Sequence, residues 1–196
     1  MPPRDDLRSI GERIVDYFEH GGDPPHTLYV YPPAEEYQVR ADLSDLRLWL
    51  ESEDRRVHCE AVSLAKLFWQ ALDDQDWADT LIQEEEAAQG DSDALEELYA
   101  SVGEILRELP TLPDRVLFEL ERVESERTAV FLYRAGALYP AYRTSALLED
   151  LRNRLRMPVT LLYPGRIVGE QGLSFMGRCE PGYGYRATIV PRGDRQ

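Results

Sequence analysis

The stretch "AVFLYRAGALYPAYRTSALLEDLRNRLRMPVTLLY", residues 129–163, decides the fold. Its first five residues, Ala129 to Tyr133, form a short apolar run rich in strand-forming types. Gly136 and Pro140 follow it and punctuate the chain. From Thr144 to about Arg156 the spacing changes to that of a helix. Leu147, Leu148, Leu151 and Leu155 share one face, and Asp150 and Arg154 form an exposed i,i+4 pair on another. A second apolar run, Pro158 to Tyr163, then reads as a strand, with "PGR", Pro164 to Arg166, predicted as a turn. Strand, helix, strand is the unit from which parallel sheets are built, because parallel neighbours need a crossover between them.

Working outward, the same alternation recurs. Leu7, Ile10, Ile14, Tyr17 and Phe18 predict a helix from Arg4 to His20, ended by "GGD". "TLYVYPP" predicts a buried strand whose two prolines open a helix from Ala34 to about Ser52, with Val39, Leu43, Leu46 and Leu50 facing inward. "RRVHCEAVSL" is a weaker strand, and the apolar helix "LAKLFWQAL" follows it. Two further helices, "LEELYASVGEILREL" and "PDRVLFELERV", are separated by "PTLP", and "GLSFMGRCEPGYGYRATIV" predicts one or two edge strands broken by glycines. The expected fold is a single α/β domain over residues 1–196. It has a mainly parallel central sheet flanked by helices, and a helical acidic insertion at residues 73–126.

Charge is distributed unevenly. The chain carries 22 basic and 37 acidic residues, for a net charge of -15. Residues 1–126 hold 11 basic and 32 acidic side chains, net -21, and residues 127–196 hold 11 basic and 5 acidic, net +6. Asp73 to Glu97 alone contains 11 acidic residues and no basic one, which reads as a solvated helical segment. A negative bulk argues against non-specific nucleic-acid binding, which needs a positive footprint. Arg152, Arg154 and Arg156 in the basic part keep a nucleic-acid-contacting module as the first alternative. No apolar run approaches the roughly 20 residues that cross a bilayer, and the charged "MPPRDDLRSI" does not resemble a secretion signal. Cys59 and Cys179 lie far apart without zinc or disulfide spacing. A soluble, cytoplasmic protein with reduced thiols is expected.

The usual catalytic constellations do not assemble. Where a phosphate-binding loop would follow the first strand, Pro32 and Pro33 offer no N–H groups, and Glu35 and Glu36 place negative charge at the helix start. Lys66, the only lysine, has no glycine loop before it. His20, His26 and His58 show no metal-ligand spacing. "GLSFMG" lacks the second glycine of a nucleophile elbow. The sequence therefore predicts no catalytic, cofactor-binding or metal-ligating residues, and an enzyme of unrecognised type stands as the second alternative.

What the predicted strands share is their ends: Tyr31 with Pro32, Tyr133 with Arg134, and Tyr163 with Pro164. In an open parallel sheet those ends lie along one edge, where such folds place their ligand crevice. Arg134, Tyr139, Arg143, Tyr163 and Arg166 are the predicted partner-binding residues there, since arginine and tyrosine are enriched at interface hot spots.

The stretches "TLYVYPPAEEYQVR", "AVFLYRAGALYPAYRTSALLEDL", "MPVTLLYPGR" and "GLSFMG" resemble the BrxB proteins, small components of bacterial BREX phage-defence systems. The resemblance implies a non-catalytic accessory protein that binds another component of the same system, PglZ being the first candidate. It also implies a sheet like that of a P-loop NTPase without the nucleotide site. It carries no catalytic residue over to this chain.

Overall fold

A computed structural model of the chain describes residues 2–123 and 126–193. Helix α1, Asp5–His20, buries Leu7, Ile10 and Ile14, and ends where Gly21 takes a positive φ of 77° and donates its N–H to the Tyr17 carbonyl. Strand β1, His26–Tyr31, is buried at every residue, as a central parallel strand must be. A 3-10 turn at Pro33–Glu35 leads into α2, Glu36–Leu50. β2, His58–Ser63, passes directly into α3, Leu64–Asp73, with the Ser63 hydroxyl accepting the Lys66 N–H as its cap.

Three helices separate α3 from the next strand: α4, Ala78–Ala88, α5, Ser92–Ile105, and α6, Leu112–Leu120. Asp91 caps α5. α6 starts with a reciprocal capping box, in which the Thr111 hydroxyl accepts the Asp114 N–H while the Asp114 carboxylate accepts the Thr111 N–H at 2.8 Å. Then come β3, Thr128–Tyr133, α7, Thr144–Arg154, β4, Val159–Val168, β5, Gly172–Phe175, and β6, Thr188–Pro191.

The sheet order is β2-β3-β4-β1-β6, with every neighbouring pair parallel, and β5 pairs antiparallel with β4. Among the described residues the architecture is therefore a mainly parallel α/β sheet flanked by seven helices. Apolar side chains pack on both of its faces. On one, α1 and α2 bring Leu7, Ile10, Ile14, Val39, Leu43, Leu46 and Leu50 against Tyr29, Tyr31 and Phe131. On the other, α3 to α7 cover Leu28, Val30, Leu132, Leu161 and Tyr163.

Three details differ from the sequence reading. First, Pro164 to Arg166 is not a turn: β4 runs through these residues to Val168. β3 pairs with β4 only as far as Leu161, and β5 begins to pair at Gly165. Pro164, which has no N–H to donate, thus sits where the strand exchanges one set of partners for another. Second, the predicted helix at Ala34 begins as the 3-10 turn and becomes α-helical at Glu36. Third, α7 ends at Arg154, two residues earlier than the leucine spacing suggested, and Leu155 is already extended.

The acidic segment is helical, as its sparse leucines predicted. α4 buries only Leu81, whereas α5 buries Leu98 and Val102, so the acids lie on exposed faces of a thin outer layer. Cys59 and Cys179 are both free thiols, and burial pushes Cys59 up to about 12. Among the described residues no helix is long and apolar enough to cross a membrane.

Candidate partner-binding edge

Because β1 to β4 are parallel, their carboxyl ends lie along one edge of the sheet, with Tyr31 level with Pro164 and Ser63 level with Tyr133. The chain leaves β1 toward the α1/α2 face and leaves β3 toward the α7 face. A crevice is expected where such connections diverge. A cavity of about 240 Å³ opens there, lined by Pro33, Glu36, Ala65, Arg134, Gly136, Ala137, Pro164 and Met176.

Arg134 is exposed at this edge. Its backbone is left-handed, φ 59° and ψ 37°, a conformation that costs a non-glycine residue about 1–2 kcal/mol. The neighbours hold it there. Ala135 and Leu138 of the following 3-10 turn are fully buried, and the Ala137 and Tyr139 N–H groups close that turn onto the Arg134 and Gly136 carbonyls. Anchored in this way, the strained residue turns the chain sharply at the end of β3 and leaves a guanidinium at the crevice mouth.

The other predicted residues divide. Arg143 is exposed at the start of α7, and Arg166 is exposed on the outer part of β4. Tyr139 is half-buried, its ring edge-on to Phe175 at 6.1 Å. Tyr163 is a core residue, 1 % exposed, packed on Phe175 at 5.3 Å and Tyr185 at 6.3 Å. A partner arriving from solvent touches almost none of it.

Register explains why the strand-end tyrosines do not gather. Tyr163 is level with Val30, not Tyr31, so neighbouring side chains that share a face place Tyr163 on the α7 side and Tyr31 on the α2 side. Tyr31 is likewise 1 % exposed and donates its hydroxyl proton to Glu36. Burial first, and that bond second, raise its pKa well above the ordinary tyrosine value. Tyr133 is half-buried beneath the Arg40 guanidinium at 5.9 Å, and Tyr142 is buried beneath Arg107 at 5.5 Å.

Several basic residues of the C-terminal part are engaged within the fold. Arg154 donates to Asp114 at 2.7 Å and lies 3.7 Å from Asp150. Arg127 bonds the Phe18 and Arg55 carbonyls. Arg192, whose side chain is 3 % exposed, donates to Asp42 at 2.7 Å and to Tyr29 at 3.1 Å, and also bonds Glu35. The sequence offered little to reveal this last cluster, because Arg192 meets acids 150 and 157 positions away.

The three histidines lie apart. His20 pairs with Asp16 at 2.9 Å on an exposed helix end, His58 lies 3.6 Å from Glu60, and His26 is buried at the start of β1. Among the described residues no three His, Cys, Asp or Glu side chains are grouped to hold a metal ion.

A family model described as "BREX protein BrxB" matches residues 60–190, about two thirds of the chain. The match runs from β2 to β6 and so includes the whole of residues 129–163 with Arg134, Arg143 and Arg166, while α1, β1 and α2 precede it. No curated protein and no solved structure matches the chain.

Proposed function

The chain belongs to the BrxB family of BREX proteins, and from that premise we propose that it is a non-catalytic, cytoplasmic accessory component that binds another protein of the same defence system, PglZ being the first candidate. The observation that carries this reading is Arg134, held in a left-handed backbone conformation so that its guanidinium stands exposed at the crevice mouth. A strained residue whose side chain is exposed points to a role outside the fold. Arg143 and Arg166 add two exposed guanidiniums, and Tyr139 contributes a partly covered ring. Guanidiniums fork onto carboxylates and stack on aromatic rings, so this edge suits an acidic or aromatic protein surface.

The reading includes a sheet of the P-loop NTPase kind that has no phosphate-binding link. Between β1 and α2 the prolines Pro32 and Pro33 supply no N–H groups, and Glu36, which lines the crevice, opposes an anion.

Co-expression of the chain with each BREX component, followed by co-purification, tests the proposal. The expected result is a stable complex with one of them. Arg134→Glu and Arg143→Glu should weaken it at least tenfold, about 1.4 kcal/mol, while circular dichroism shows both variants folded. A chain that elutes alone in every pairing overturns the reading.

A further inference from the structure

β2 is an outer strand of the sheet, with β3 on one side and no strand on the other among the described residues. Its backbone groups alternate between those two sides. The His58 N–H donates to the Arg127 carbonyl, so the main chain of His58, Glu60 and Val62 turns toward β3, and that of Cys59 and Ala61 turns outward. Outward groups of this kind are a template for another chain, and proteins commonly block them.

Here the block stops short. At Cys59 the carbonyl accepts from Arg47 Nη2 at 3.0 Å, and the N–H donates to Glu51 Oε1 at 3.2 Å, so side chains from α2 and its C-terminal cap take both outward groups. Two residues on, at Ala61, no side chain or strand does the same among the described residues. Ala61 is partly exposed, and it lines a groove of about 320 Å³ between the sheet and α2. Tyr37, Arg40, Ala41, Ser44 and Arg47, spaced three and four residues apart on one face of α2, form the facing wall. That wall is about 15 Å long, which matches four or five residues of extended chain at about 3.3 Å each.

The groove is also selective in charge. In a chain of net charge -15, its lining holds two arginines and no acid. Glu60, beside Ala61, alternates onto the other face of the sheet with Val62. Arg47 is held by the Cys59 carbonyl and lies 3.8 Å from Glu51, which offsets part of its charge. Arg40 is exposed, stands over the Tyr133 ring at 5.9 Å, and makes no ion pair among the described residues.

We propose that this groove takes an extended acidic segment of a partner protein, which adds as a strand beside β2, exchanges hydrogen bonds with the Ala61 N–H and carbonyl, and turns its carboxylates toward Arg40 and Arg47. A free donor and acceptor on one backbone residue suit a peptide main chain, and the arginines set the sign of its side chains. Exposed Tyr37 adds apolar contact at the start of α2. α2 precedes the residues matched by the family model, and the groove does not use Arg134, so this proposal and the previous one stand or fall separately.

The experiment titrates a fluorescein-labelled hexapeptide of alternating glutamate and valine with the intact chain, and its lysine and valine counterpart serves as the control of sign. Anisotropy should saturate with the acidic peptide below about 1 mM and not with the basic one. At saturation the Ala61 amide should exchange with solvent at least about tenfold more slowly. Arg40→Glu, a change at an exposed position, should weaken the acidic peptide at least about tenfold and leave the melting temperature unchanged. No saturation by the acidic peptide overturns the proposal, as does binding that leaves Ala61 exchange unaltered or that survives Arg40→Glu. Saturation by a single-stranded oligonucleotide, with none by the peptide, overturns it as well. The exchange measurement uses the unaltered chain, so the strand contact is read without any variant.

Discussion

At the scale of single residues, buried polar groups matter most for what this chain tolerates. Arg192 and Asp42 form a nearly dry ion pair, 3 % and 7 % exposed, that fastens the end of β6 to α2 and, through the Tyr29 hydroxyl, to β1. Such a pair contributes little relative to an apolar replacement of both partners, but loss of one partner strands the other charge. Asp42→Ala should therefore cost about 3 kcal/mol, read as a lower urea midpoint with an unchanged slope. His26 makes a different prediction. Its pKa in the fold is lowered by burial first and by Arg152 second, and Glu149 and Arg186 also line a cavity beside it. The unfolded ring titrates near ~6.5. As pH falls through that value the unfolded chain binds the proton first, so stability drops until the folded ring also protonates. Melting temperatures taken from about pH 7.5 to about pH 5 should show this decline, and His26→Gln should flatten it. The chemistry of both sites was hidden in the sequence, since neither a lone histidine nor a late arginine reveals its burial.

At the scale of elements, the legible parts were those in which apolar spacing alone names the buried face. α1, α2 and α7 carry leucines and isoleucines three and four residues apart, and those same residues are buried. The outer half of β4 was not legible, because Pro-Gly reads as a turn unless a partner strand holds it extended. That partner is β5, and its approach is close. A Cβ built on Gly165 would lie 2.4 Å from the Ser174 carbonyl oxygen and 2.6 Å from the Tyr163 ring. Gly165→Ala should therefore push β5 off β4 and cost at least about 2 kcal/mol, comparable to overpacking a core. Hydrogen exchange at the β4–β5 amides measures the loss, and native-like protection there would contradict the pairing.

At the scale of the whole molecule, charge and topology together decide what the surface offers. The net +6 of residues 127–196 suggested a nucleic-acid contact, yet Arg154 is bound to Asp114 and Asp150, and Arg192 lies within the fold. The acids of α4 and α5 add an exposed negative layer. Fluorescence anisotropy with duplex DNA at about 0.15 M salt should show no binding beyond the weak non-specific range of about 10⁻⁴ M. A tight, salt-dependent isotherm would restore the alternative. The sequence by itself determined the fold class, because alternating apolar runs of two periods leave a helix-covered parallel sheet as the way to bury them. It also determined the family, through residues 60–190. Only the tertiary structure decided which of those residues face solvent. The side of a sheet that a strand-end ring occupies depends on register with its neighbour, and an arginine's partners depend on contacts across the chain. Thus Tyr163, level with Val30, became core, while Arg134, at a left-handed turn of the backbone, stands exposed at the edge.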